Sequence, residues 1–202
     1  MAYNDFTTIT KVRNAFDLTF DETQELFINV NSIEPSDYLK TTLKEYVPLA
    51  NAINTEKARS ELIIAPVLLE VRRILNFQIG FFSGVEFNVN LAKGLMGYCD
   101  YILTASKELY EIRTPVFTIV EAKNENIKGG LGQCMAETIA ARLFNIQQEK
   151  ELEAIYGAVT TGNIWKFIKL EDQRIFIDLK DYFLPEIDKI LGILAIPFQV
   201  KN

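Results

Sequence analysis

The stretch Val116–Lys123, V-F-T-I-V-E-A-K, constrains the fold of this chain more than any other. Its first residues are uncharged and mostly β-branched or aromatic, the composition of a buried strand. Side chains alternate across a strand, so Glu121 and Lys123 fall on one face, two residues apart. A carboxylate and an ammonium at the mouth of an apolar strand are costly to desolvate. They form either an ion pair where the strand surfaces or a site that handles a cation and a polar substrate.

The remaining segments supply partners for that strand. Ser36 or Asp37 can cap a helix through Tyr38, Leu39, Leu43 and Tyr46 that closes at Pro48. From Asn54 or Thr55 a longer amphipathic helix follows, with Ile63, Ile64, Val67, Leu68, Val71 and Leu75 at helical spacing. Pro66 in its middle predicts a kink. Alternation predicts strands from Phe77 to Phe82 and from Val85 to Asn90, turning at Ser83-Gly84. Tyr98–Leu103 is a further strand and carries Asp100. If that strand and Val116–Lys123 are antiparallel neighbours, Asp100 and Glu121 come together.

After Lys123 the run N-E-N-I-K-G-G-L-G reads as a mobile loop, and a helix runs from Gln133 to about Gln147. Ala154–Thr160 and Ile164–Leu170 form a hairpin around Thr161-Gly162-Asn163. Arg174–Leu179 is one more strand, and Asp188–Leu194 is helical. The N-terminal 34 residues are less patterned, although Phe16, Leu18 and Phe20 alternate as in a strand. The expectation is an α/β (α+β) fold, a mixed β-sheet flanked by helices. With 202 residues and no low-complexity linker, residues 1–202 read as a single domain. It divides into a cap over 1–50, a core over 54–170 and a C-terminal strand and helix over 171–202.

Composition narrows the chemistry. The chain contains no histidine, which removes Ser-His and Cys-His nucleophile pairs and His-ligated zinc. Catalysis would have to rest on carboxylates, lysine or a hard metal ion. Cys99 and Cys134 are too few for a disulfide framework and read as buried free thiols. No apolar run reaches membrane-spanning length and no signal-peptide pattern opens the chain, so a cytoplasmic location and no membrane partner are expected. A net charge of −6 argues against a non-specific nucleic-acid binder, though not against a local basic site.

In chain order, the glutamates Glu56 and Glu61 on a helix, Asp100 on a strand, the apolar strand ending Glu121-Ala122-Lys123 and a helix opening with Gln133 resemble the PD-(D/E)XK nuclease superfamily, the restriction-endonuclease-like fold. The likeness covers roughly residues 54–170. The helix T-E-K-A-R-S-E-L-I-I-A-P-V-L-L and the hairpin V-T-T-G-N-I-W-K-F are similar to segments of type I restriction subunit N-terminal domains. Gly-Tyr-Cys, with no proline, precedes Asp100, and Glu137 stands where many RecB-like members carry tyrosine.

The resemblance implies a Mg²⁺- or Mn²⁺-dependent nuclease acting on nucleic acid, DNA ahead of RNA. Asp100, Glu121 and the Ala122 carbonyl would be metal ligands, and Lys123 and Gln133 site residues. Glu56 or Glu61 would come from the opening helix, where helix-dipole pairing is the competing explanation. Lys128 and Gly129-Gly130 could approach a phosphate. The alternative is a catalytically silent binding or assembly module, and a homodimer or protein partner would supply contacts that this acidic chain lacks. Glu-x-Lys alone has little specificity. Asp178-Leu179-Lys180 repeats the pattern after Ile175–Ile177 but has no Gln-headed helix behind it. Trp165 is expected in the core, and Tyr98 beside the site.

Overall fold

All seven residues of strand β4 (Val116–Ala122) are buried, because both faces of the sheet are covered. The computed structural model describes residues 1–199; residues 200–202, the end of the expected C-terminal segment, lie outside the described residues. In the described chain, β4 lies inside an eight-stranded mixed sheet. The other strands are β1 (Thr19–Asp21), β2 (Gly80–Glu86), β3 (Tyr98–Thr104), β5 (Ala154–Thr160), β6 (Ile164–Glu171), β7 (Arg174–Ile177) and β8 (Tyr182–Phe183). Their order is β1-β7-β6-β5-β4-β3-β2, with β8 pairing β6.

Consecutive residues of β4 feed opposite cores. Ile119 packs with Ile102, Val159, Ile168, Met135 and Ala136 on the face covered by helix α5 (Ile127–Gln147). Val120 packs with Tyr101, Leu103, Ala158, Val67 and Leu68 on the face covered by α4 (Ala65–Ile74) and α6 (Ile187–Gln199). Residues this enclosed are expensive to truncate: Ile119→Ala would cost about 2–5 kcal/mol. The strands β2, β3 and β4 form an antiparallel meander, and α5 crosses over to bring β5 parallel to β4.

The N-terminal segment contains a helix, α1 (Ile9–Phe16), before the short strand β1, so Phe16 ends a helix instead of opening a strand. Helix α2 (Asp37–Ile53) is capped by Ser36 as expected but runs through Pro48. The next helix begins as α3 (Glu56–Arg59), widens to a π-helical turn over Ser60–Ile64 and continues as α4. Pro66 explains that turn. It lacks the N–H for a bond to Leu62, and widening the preceding turn relieves the clash of its ring with that carbonyl.

The expected turn at Ser83-Gly84 is absent: β2 runs straight through it, Ser83 pairing Tyr101 and Val85 pairing Cys99. Gly84 takes a positive φ of 61° within the strand, which its lack of a Cβ allows. The glycine run after Lys123 is helical too, since α5 starts at Ile127 under an Asn126 cap and not at Gln133. There, small residues serve packing. A Cβ on Gly132 would lie 2.2 Å from the Phe6 carbonyl oxygen, where the N-terminal segment crosses α5.

Candidate functional site

Extending the β3–β4 register by one rung from Tyr101↔Val120 sets Asp100 opposite Glu121, on the α5 side of the sheet. Asp100 is half-buried, and its Oδ2 accepts a 2.8 Å hydrogen bond from the Ala122 N–H. Glu121 is 1% exposed, and its Oε1 lies 2.5 Å from the Lys123 ammonium. Its second oxygen, Oε2, is buried with no hydrogen-bond partner. The Lys123 N–H donates to the Thr160 carbonyl, so the ladder with β5 fixes the backbone under the pair.

Helix α5 closes the site from below. Gly130 is where its first turn meets the Lys123 stem: a Cβ there would come within 3.0 Å of Lys123 Cγ and 2.7 Å of Val159 Cγ1. Gln133 is half-buried and donates through Nε2 to Glu137 Oε1 at 3.0 Å, while Glu137 Oε2 is a second orphaned buried oxygen. Gln133 is therefore held by Glu137, one helical turn on.

The electrostatics follow from three carboxyls facing one ammonium. Burial first, then the Asp100 charge, push the Glu121 carboxyl up to about 8 in spite of Lys123. Glu137 is raised well above the usual carboxylate range by its complete burial and by Glu121. Burial works against the Lys123 ammonium, but Glu121, Glu56 and Asp100 together hold its pKa above the ordinary lysine value. The cluster has a surplus of negative charge that protons or a cation would neutralise.

Of the two glutamates expected from the opening helix, Glu56 is felt at both Glu121 and Lys123. Glu61 instead stands in solvent, 3.8 Å from Lys57. Glu70, farther along, accepts from the Ser36 N–H and hydroxyl and so anchors the start of α2. Trp165 is core, its indole N–H bonded to the Gly162 carbonyl. Cys99 and Cys134 are buried free thiols, and Tyr98 and Glu86 are exposed. Asp178 of the repeated pattern is buried and holds the Leu26 and Lys180 N–H groups and the Tyr182 hydroxyl. That carboxylate is structural.

Sequence patterns gave no sign of Arg59. Its guanidinium donates to Asn124 Oδ1, Asn51 Oδ1, the Thr161 carbonyl and Asn54 Oδ1, at 2.9–3.2 Å. It thereby ties the helix carrying Glu56 to the residue after Lys123 and to the β5–β6 turn. Asn51 and Asn54 are near it in sequence, but Asn124 and the Thr161 carbonyl, which link it to the strand end, are brought there only by the fold.

Among the described residues, no three His, Cys, Asp or Glu side chains are grouped so as to hold a metal ion. The oxygen donors at this place are two carboxylates, Asp100 and Glu121, together with the backbone of Ala122. Hard donors of that kind suit Mg²⁺ or Mn²⁺, and the orphaned Glu121 Oε2 is a free ligand atom. An apolar cleft of about 970 Å³ between α2 and Phe183–Ile187 contains none of these residues. Among the described residues, no helix is long and apolar enough to cross a membrane. No family model matches the chain, and no curated protein matches it.

Proposed function

We propose that the protein is a divalent-metal-dependent nuclease of the PD-(D/E)XK type, hydrolysing phosphodiester bonds of DNA ahead of RNA, in the cytoplasm. The observation that carries this reading is the adjacency of Asp100, Glu121 and Lys123 at the ends of two neighbouring strands, with Glu121 Oε2 unsatisfied. The chain order of the Glu56 helix, the Asp100 strand, the Glu121 strand and the Gln133 helix supports it as well.

Asp100, Glu121 and the Ala122 carbonyl would hold Mg²⁺ or Mn²⁺, which supplies charge neutralisation at the phosphate and an acidified water. Lys123, partly exposed beside Glu121, orients the attacking water and stabilises negative charge as it develops. Glu56 lies at the mouth, within electrostatic reach of both. Gln133 and Glu137 line the wall behind and fix the α5 side of the pocket.

A silent binding or assembly module is the second reading, favoured by the closed Glu121–Lys123 contact and by the acidic net charge. Plasmid nicking in Mg²⁺ or Mn²⁺, beside a Glu121→Ala variant, separates the two. Metal-dependent nicking that the variant lacks supports the nuclease. Equal nicking by both proteins, or none by either, removes it. Calorimetric titration of Mn²⁺ into both proteins reports ion binding without turnover.

A further inference from the structure

Arg59 is a half-buried guanidinium whose four hydrogen-bond acceptors are all neutral, and no described carboxylate forms an ion pair with it. Neutral acceptors satisfy N–H groups without cancelling the charge, so its field extends into the adjoining mouth. One Nη2 N–H remains free for a further acceptor. The fold fixes where this charge stands: Nε holds Asn124, the residue that follows Lys123.

Across the same strand end stands Lys128, exposed in the first turn of α5 and likewise without an ion pair among the described residues. It lies two residues before Gly130, against which the Lys123 stem would abut a Cβ. Among the described residues most other lysines and arginines form ion pairs or bond to backbone carbonyls, whereas Lys128 does neither and Arg59 meets only neutral acceptors, the Thr161 carbonyl among them. Glu56 and Glu125 are the acids at the same rim, and Glu125 is engaged by the Asn54 amide at 3.3 Å.

We propose that Arg59 and Lys128 grip the sugar–phosphate backbone on the two sides of Lys123, so that a strand of nucleic acid crosses the end of β4 from α3 to α5. This rests on the nucleic-acid reading of the site. The contacts are to phosphates, so they set register and affinity without sequence preference. Arg59 has a second consequence: the bonds that hold its fork also keep Asn124 and the Thr161 turn in place, so the phosphate subsite is preformed.

The test is fluorescence anisotropy of a labelled duplex with the protein in Ca²⁺, an ion for the same oxygen donors, across a range of NaCl concentrations. Each phosphate contact contributes about 0.9 to the slope of log affinity against log salt. Arg59→Gln and Lys128→Gln are each expected to reduce that slope by about 0.9, and the double variant by about twice as much. Arg59→Lys, which keeps the charge and loses the fork, is expected to keep the wild-type slope. Lys150→Gln, beyond the far end of α5, serves as the control and should leave it unchanged. If Arg59→Gln unfolds, Lys128→Gln still decides. Wild-type binding with an unaltered slope in the Gln variants overturns this inference alone; no binding by the wild type overturns the nucleic-acid reading and this with it.

Discussion

The Asp100 carboxylate accepts the backbone N–H of Ala122 at 2.8 Å, bridging β3 and β4 where their ladder ends. One oxygen is thereby committed to the fold, and the other is the one the proposed metal would take. Asp100→Asn keeps an acceptor oxygen for Ala122 and should melt near the wild type. Asp100→Ala leaves that N–H unpaired and should cost about 1–3 kcal/mol. Both should lose Mn²⁺ affinity in calorimetry, while thermal melts separate them. Equal stability of the two variants would show that the bridge contributes little.

Gly130 tests how closely α5 sets Lys123. A methyl group there would meet Val159 Cγ1 at 2.7 Å and the Lys123 stem at 3.0–3.1 Å, and Val159 lies in a fully packed core. Gly130→Ala should destabilise by about 1–3 kcal/mol through overpacking and displace the ammonium from Glu121. Chemical denaturation measures the first effect. Nicking per folded molecule measures the second, which should fall by more than the lost stability accounts for.

Asp178 is the reverse case, a motif-like acid whose role is architectural. It holds two backbone N–H groups and the Tyr182 hydroxyl in a site 1% exposed. Asp178→Ala strands those donors and should cost about 3 kcal/mol. Activity per folded molecule, assayed well below the melting midpoint, should be unchanged. A specific loss of nicking at full folding would return Asp178 to the candidate site.

The pH dependence of the metal-free protein follows from the raised carboxyls. Glu121 is lifted from its ordinary 4.5 to about 8, and Glu137 moves the same way. Between those values the folded state keeps a proton that the unfolded chain has released, so stability falls as pH rises through the window. In chelator, the melting temperature should therefore drop from about pH 5 to about pH 8. Glu121→Gln, which has the shape without the titration, should flatten that profile. A wild-type profile that rises over the range contradicts the assigned burial.

Much of this organisation was legible in the residues. The apolar run before Glu121, the alternation around Asp100 and the Thr161–Asn163 turn are local patterns, and β3, β4 and the β5–β6 hairpin lie where those patterns placed them. Errors arose where a local signal competed with packing. Ser83-Gly84 has turn chemistry, but the pairing of Ser83 with Tyr101 and of Val85 with Cys99 keeps it inside β2, with Gly84 at a positive φ. The glycines after Asn126 imply a loop, yet close approach to Lys123 and Phe6 is what requires them, inside a helix. Pro48 reads as a helix stop, yet α2 continues through it to Ile53.

By itself the sequence determined that a buried strand ends in a carboxylate and an ammonium on one face, because strand periodicity is a property of the backbone alone. It also removed histidine chemistry outright. Only the tertiary structure decided that the charge of Glu56 and not of Glu61 is felt at the pair and that Arg59 braces the strand end. Those relations join residues far apart in the chain, and the distances and burial that define them exist only once helix and sheet have packed.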